Sequence, residues 1–447
     1  VRYQTGNSPA HIDAGDLNGN GFVDLVVTNL NDNTISVLFN DINNPGSFLP
    51  KVDYTTLNEP YDIQVQDLNK DNAPDIVITN RGAGSFSVFI NSGSGIFPSR
   101  TDYISGRIPH SLDIKDINGD GNLDIIIGNF EWFPAAPVIF KGNGDGTFIN
   151  DGRRGIIEHI KSGIVNDVDN DGDMDIIISG NATYIQLIKN TGDGNYLSRT
   201  YYSGNTDFGS RTDAGTMTLT DLDLDGDLDV IVGARAPSHT ITIFTNIGNG
   251  VYRRMLNDVQ AGFLPHHVLT ADIDGDGDMD IIAAHKLDNY DQGISVLKNK
   301  GDGFFNNVVE YIADNTEPEG ILIADIDNNG TGDLIVANTG SNTLSVLKNI
   351  VNPSFIKGHV FNDINANGTK DNTEFGMNQW PLKLIPNEAN AITDINGDYE
   401  FIIADDGVYS VISEPDTTTW QQTLPNGSGS YTGLNITQGL TLLDKDF

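Results

Sequence analysis

Carboxylates recur along this chain at a spacing that can chelate a metal ion. In Asp167-Val-Asp169-Asn-Asp171-Gly172-Asp-Met-Asp175 they stand at positions 1, 3, 5 and 9, and Gly at position 6 permits a turn that points the position-7 carbonyl inward. Hard oxygen donors at this density suit Ca²⁺, whereas Mg²⁺ demands a tighter octahedron and retained water. The pattern D-x-[DN]-x-[DN]-[GN]-x-x-D occurs seven times. Its expected ligands are Asp16, Asn18, Asn20 and Asp24; Asp67, Asn69, Asp71 and Asp75; Asp116, Asn118, Asp120 and Asp124; Asp167, Asp169, Asp171 and Asp175; Asp221, Asp223, Asp225 and Asp229; Asp272, Asp274, Asp276 and Asp280; and Asp325, Asp327, Asn329 and Asp333. Turns rich in Asp, Asn and Gly also form without metal, for steric reasons. Four like charges crowded into one loop repel strongly unless something neutralises them, and that favours an ion.

The loops are unequal. Those begun by Asp167, Asp221 and Asp272 carry four carboxylates each and are expected to bind most tightly, whereas the first offers only Asp16 and Asp24. The second puts Asn72 where Gly is expected, which a left-handed conformation tolerates, and Pro74 just before its last ligand. Position 12 is apolar, as at Val27 and Ile178, and no helix follows, so these are strand-to-strand turns rather than EF-hands.

The elements that hold these loops follow from the period. Successive loops begin 51, 49, 51, 54, 51 and 53 residues apart, and a period of that size marks a repeat architecture. Each loop leads into a short β-branched run, such as DIVITN at Asp75 or DIIISG at Asp175, which reads as a buried strand. A third strand follows after a polar loop (ISVLFN, IQLIKN, LSVLKN), and a fourth is marked by KVDY, RTDY, RTYY and VVEY. Four strands per unit, seven units and no helical periodicity predict an all-β, seven-bladed β-propeller. The last repeat offers no fourth strand after Asn349, so Val1-Arg2-Tyr3 is expected to complete the last blade. A β-helix with nine-residue calcium repeats would need its loops far more often.

Composition narrows the function. The 447 residues exceed one compact core, and 62 Asp and Glu against 25 Lys and Arg give a formal charge of −37. That field repels nucleic acid and anionic membranes. No run of about 18 apolar residues reads as a membrane span, and the first residues lack the pattern of a signal peptide, as expected of a mature or trimmed chain. With no Cys, disulfides and thiol chemistry are excluded, so extracellular stability needs another cross-link.

The units resemble the FG-GAP or VCBS repeats of integrin α-subunit propellers and many bacterial surface proteins, over residues 1 to about 350. The resemblance implies calcium loops joining the first and second strands on one face, with ligands met by the opposite face. The FG-GAP turn itself is poorly kept, so integrin-like partner binding is not carried over.

The period stops after Asn352-Pro353, dividing the chain into a propeller over 1–351 and a β-sandwich over 354–447. In the second part Asp363, Asn365, Asn367, Asp371 and Glu374 take positions 1, 3, 5, 9 and 12 of a loop with Gly368 at position 6, an EF-hand-type order set between strands. This segment resembles the calcium-binding B-type and Cna-B-like immunoglobulin-like modules of bacterial adhesins, which implies a rigid stalk. About seven Ca²⁺ are expected in the propeller and at least one in the sandwich.

On the face opposite the calcium loops, the connections before the first strand and after the second contain Arg107, His110, Trp132, Arg211, Arg235, His239, His266, His267, His285 and Tyr290. In an acidic protein this gathers cationic and aromatic groups on one face. Trp132 beside polar groups suits stacking on a sugar or anchoring a protein, although EWFPAAP also fits as a cap on the neighbouring blade. Each His fits ordinary turn chemistry too, satisfied by a nearby carbonyl. The leading expectation is a secreted or surface-held bacterial adhesive module that recognises an extracellular glycan or protein. Its rivals are a carbohydrate-active enzyme such as a polysaccharide lyase, for which no G-x-S-x-G or H-E-x-x-H signature appears, and a self-assembling unit of an extracellular filament or surface layer.

Overall fold

β-Branched side chains pack well on a pleated surface, and the run after each acidic loop forms a buried strand. In the structure, a computed structural model, these runs are Asp24–Asn29, Asp75–Asn80, Asp124–Asn129, Asp175–Ser179, Asp229–Ala234, Asp280–His285 and Asp333–Asn338. The structure describes the whole chain except residues 131–135, 154–159, 181–183, 191, 193–195, 203–213, 235–239, 256–258, 262–263, 275, 286–292, 302, 306–308, 313–316, 350–353, 366–369, 372, 387–389, 404–406, 414–429, 437–440 and 444.

Each run is the second strand of an antiparallel sheet, and seven such sheets of four strands make the blades of a seven-bladed β-propeller; blade 5 carries a fifth, short strand. The first strands are Pro9–Gly15, Pro60–Gln66, Pro109–Lys115, Ser162–Asn166, Ala214–Thr220, Pro265–Ala271 and Pro318–Ala324. Blade 7 is closed by the chain's own beginning, where Arg2–Gln4 pairs with Thr343–Leu347.

The core lies in the seams between blades. Seven hydrophobic clusters each join two neighbouring blades, including blade 7 with blade 1. The second residue of every acidic loop (Leu17, Leu68, Ile117, Val168, Leu222, Ile273 and Ile326) packs into the seam with the following blade. Each such side chain contributes about 1.5–3 kcal/mol by leaving water, and the same burial places the loop.

Five first strands open alike. A non-glycine residue with positive φ (Ser8, Glu59, Ile108, Leu264 or Glu317) precedes a proline, and the pairing register shifts just after it. For Ile108, at φ 52°, this is a strained backbone for a β-branched residue. Its carbonyl accepts the N–H of Phe130 beyond the second strand, tying the two connections on that face together.

The second compact unit spans Ile350–Phe447. It holds a three-stranded and a four-stranded sheet around a core of Ile356, Leu384, Phe401, Val411 and neighbouring residues. Among the described residues all assigned elements of both units are strands, and no helix is long and apolar enough to cross a membrane.

Candidate functional site

The seven acidic loops share one frame. The position-1 carboxylate accepts the N–H groups of positions 5 and 6: Asp167 takes Asp171 at 3.1 Å and Gly172 at 2.9 Å, and Asp221 takes Asp225 at 3.1 Å and Gly226 at 2.9 Å. Position 6 has positive φ throughout, from Gly277 at 95° to Asn72 at 66°, so Asn72 meets the conformational demand without being Gly. Position 9 is at most 1% exposed in every loop. Asp229, for example, accepts the N–H of Leu222 at 3.1 Å and that of Asn246, the last residue of the third strand, at 2.8 Å.

These loops fit a hard cation. Three carboxylates converge within 4.8 Å in the groups Asp167/Asp169/Asp171, Asp221/Asp223/Asp225, Asp272/Asp274/Asp276 and Asp325/Asp327/Asp333. Asp169 Oδ1, Asp175 Oδ2, Asp223 Oδ1 and Asp327 Oδ1 are buried and lack any hydrogen-bond partner. A buried anionic oxygen left unpaired is costly, and a cation in each of the three loops concerned would satisfy them. Burial, opposed by the two N–H donors and reinforced by neighbouring carboxylates, pushes Asp24, Asp75 and Asp333 up to about 6 and Asp229 to about 7. Asp175, which holds a single N–H donor, also rises to about 7.

In the second unit Glu374 caps its loop. Its carboxylate accepts the N–H of Ile364 at 2.9 Å and of Asp371 at 2.9 Å, while Asn365 donates to Asp371 at 2.6 Å. Asp363 opens the same loop, and Asn367 lies outside the described residues.

At the other end of the first strands, side chains of one blade bind the backbone of the next. Asp13 accepts the N–H of Val65 at 2.7 Å, Asp62 that of Leu112 at 2.8 Å, and Asp113 that of Val165 at 2.7 Å. Thr216 accepts Val268 at 2.9 Å and His267 Nδ1 accepts Ile321 at 3.0 Å. This girdle surrounds a cavity of about 360 Å³ lined by His11, Asp62, Gln64, His110, Lys161 and His267, among others. Since Nδ1 of His267 accepts, its proton sits on Nε2 and the ring is neutral. Burial, with the charges of His11 and His266, lowers it to about 3. Rings continue along the rim: His267 stacks on His11 at 5.2 Å, His11 meets Tyr61 at 4.5 Å and Tyr61 meets His110 at 4.6 Å.

The expected loop histidines are therefore not on loops. His110, His266 and His267 lie in first strands and His285 ends a second strand. His110 is 7%, His266 4% and His285 2% exposed. The positive-φ residue and proline start the strand earlier than the sequence pattern marked, and the His following the proline is drawn into the seam. His110 Nδ1 donates to Lys161 O at 3.0 Å and His266 Nδ1 to Leu264 O at 3.3 Å, the bland turn chemistry. Arg107 is exposed in the bend before Pro109. Trp132, Arg211, Arg235, His239 and Tyr290 lie outside the described residues. The girdle aspartates Asp13, Asp62 and Asp113 were not among the expected site residues; their signal was an acidic residue three or five positions before the loop, inside the first strand.

Seven radial four-stranded blades, with acidic turns between first and second strands, define a repeat β-propeller with an acidic loop in every blade. The chain belongs to the FG-GAP-like repeat family, which matches residues 16–78, 67–127, 167–232, 221–283 and 272–336. No curated protein matches it. Among solved structures, BBS1N in complex with ARL6DN has a TM-score of 0.53 at 13% identity, covering 78% of this chain and 96% of that one. A lectin of Agrocybe aegerita, described as recognising non-reducing terminal N-acetylglucosamine, has a TM-score of 0.49 at 21% identity, covering 68% and 81%. A protein from Lactobacillus plantarum has a TM-score of 0.48 at 13% identity, covering 68% and 84%. These likenesses concern the fold.

Proposed function

We propose that this chain is a secreted or surface-held binding module, stiffened by Ca²⁺ in its acidic loops, that takes an extracellular glycan or protein at the opposite mouth of the propeller. The observation that carries the reading is the contrast between the two ends of the blades. At one end the same loop is repeated seven times, which suits a structural cation. At the other, equivalent positions hold Ala10, Tyr61, His110, Lys161, Gly215, His266 and Glu319, and of these His110 and Lys161 line the cavity. Variation on a repeated frame is what a specific face requires. When bound, Ca²⁺ supplies neutralising charge and a cross-link between the ends of two strands. Its holders would be the carboxylates and carboxamides named above, with Asp363, Asn365, Asn367, Asp371 and Glu374 in the second unit. That unit serves as a stalk, in keeping with its resemblance to B-type and Cna-B-like modules.

The test is retention of the chain on immobilised glycans and extracellular proteins, with Arg107→Ala and Trp132→Ala beside the parent chain. The expected result is retention weakened at least several-fold, with calcium content and melting temperature unchanged. Retention that survives both substitutions would place the partner elsewhere. Conversion of an acidic polysaccharide into products with a new ultraviolet-absorbing double bond would favour the lyase instead.

A further inference from the structure

At the C-terminal end of each third strand, the residue just before Asn40, Asn91, Gly142, Asn190, Asn246, Asn299 or Asn349 varies in a way that tracks its acidic loop. It is Phe39, Ile90, Lys141, Lys189, Thr245, Lys298 and Lys348 in blades 1 to 7. Lys189 Nζ lies 2.6 Å from Asp169 Oδ2, Lys298 Nζ 2.8 Å from Asp274 Oδ2 and Lys348 Nζ 3.3 Å from Asp327 Oδ2. All three reach position 3 of their own loop. Where position 3 is Asn18, Asn69 or Asn118, no lysine is so used, and Lys141 turns instead to Asp151 at 3.6 Å. Blade 5 is the exception. It has Asp223 at position 3, yet Thr245 stands in the lysine's place and its hydroxyl donates to Arg253 O at 3.1 Å. Among the described residues no Lys or Arg pairs with Asp221, Asp223, Asp225 or Asp229.

We propose that Lys189, Lys298 and Lys348 are built-in counter-cations, so that the loop begun by Asp221 is the tightest Ca²⁺ site of the propeller; this rests on the calcium reading above. The carboxylates at loop positions 1, 3, 5 and 9 number 2, 3, 3, 4, 4, 4 and 3 in blades 1 to 7. Subtracting one charge where a lysine is paired leaves −2, −3, −3, −3, −4, −3 and −2, and blade 5 stands alone.

Loop 4 shows how the lysine and a metal would share one carboxylate. Asp169 has a side chain only 10% exposed; Lys189 holds its Oδ2, and its Oδ1 has no partner. Asp175, 1% exposed, likewise has an unpartnered Oδ2. The lysine thus leaves one oxygen to a metal while placing a positive charge a few ångströms from it. That charge opposes a dication and steadies the loop without one. Lys189 also donates to Asn249 O of blade 5 at 2.8 Å, and Lys348 to Pro45 O of blade 1 at 3.2 Å, so the tethers are anchored across seams.

Calcium titration calorimetry on the chelator-stripped full chain tests this, with Lys189→Gln and Thr245→Lys beside the parent. Lysine at 245 is already accommodated at the equivalent place in blades 4, 6 and 7. Relative to the parent, Lys189→Gln should gain one tight site, at least several-fold stronger than before, and Thr245→Lys should lose one. In chelator Lys189→Gln should melt lower than the parent, and calcium should raise its melting temperature by more. A purely structural lysine would lower melting equally with and without calcium, and that result overturns the proposal even if Thr245→Lys fails to fold. A parent that binds no calcium overturns the calcium reading and this proposal together. A parent that binds calcium, with Lys189→Gln unchanged in count and affinity, overturns only this one.

Discussion

Asp13 satisfies a seam and strains it at once. It accepts the N–H of Val65 at 2.7 Å and of Ala14 at 2.9 Å, yet burial, with a contribution from Asp62, pushes it up to about 7 from 3.8. Between those values the folded chain holds a proton that the unfolded chain has released. Its contribution to stability is therefore largest at low pH and declines as pH rises from about 4 to 7. Asp13→Asn keeps an acceptor and abolishes the titration. The stability of the Asn form relative to the parent should improve by roughly 1–3 kcal/mol between pH 5 and pH 8, discounted for solvent access from the channel. Urea denaturation at both pH values measures it, and a gap that does not move with pH would remove Asp13 from the account.

The third strand ends in an element that ties loops to seams. Asn40, Asn91, Asn190, Asn246, Asn299 and Asn349 each donate Nδ2 to the carbonyl of the second loop residue of the preceding blade; for Asn246 the acceptor is Val168 O at 2.9 Å. The backbone N–H of the same residue binds position 9 of its own loop. Every acidic loop but the second is thus held from two blades. Blade 3 has Gly142 here, and a Cβ would sit 2.1 Å from Leu123 O, so its seam with blade 2 does without the latch. Asn246→Ala should cost about 1–3 kcal/mol, the penalty for leaving a buried carbonyl unsatisfied. Hydrogen exchange should show the loss as faster opening of the loop at Asp167 and its seam, with blades 1 and 2 unchanged. Uniform acceleration would mean that the blades open as one.

For the molecule as a whole, charge decides how metal and acid act. The formal charge is −37, and eight Ca²⁺ would bring it to −21. In excess chelator, Asp24, Asp75, Asp175, Asp229 and Asp333 lie at about 6 to 7 and Asp124 and Asp280 are also raised, all chiefly through burial. The metal-free fold should therefore gain stability as pH falls from 8 to 5, because protons relieve charges that burial disfavours. With saturating calcium the slope should reverse, since the ion needs those carboxylates deprotonated. Each site held at about 100 times its dissociation constant adds about 2.7 kcal/mol, so chelation at pH 8 should lower the melting temperature. Melting scans at the two pH values, with and without chelator, measure both slopes. Equal slopes, or melting indifferent to chelator, would sink the calcium reading.

The repeat period, the strand count and the closing role of Val1-Arg2-Tyr3 were all legible in the order of residues, because a short β-branched run and a turn rich in Asp and Gly are local properties. The loop frame was legible too, down to the left-handed Asn72. Three things depended on packing. Thr245 and Lys189 lie 20 or more residues from the carboxylates they distinguish, so the loops at Asp167 and Asp221 read as equals until the third strand folded beside the second. The histidines of the mouth share a Pro-His signal with exposed turns, and only the shifted start of the first strand placed His110 and His266 inside a seam. Asp13 and Asp113 read as two more polar residues of the first strands. Their partners, Val65 and Val165, are each 52 residues away and come within hydrogen-bonding distance only when neighbouring blades meet around the channel.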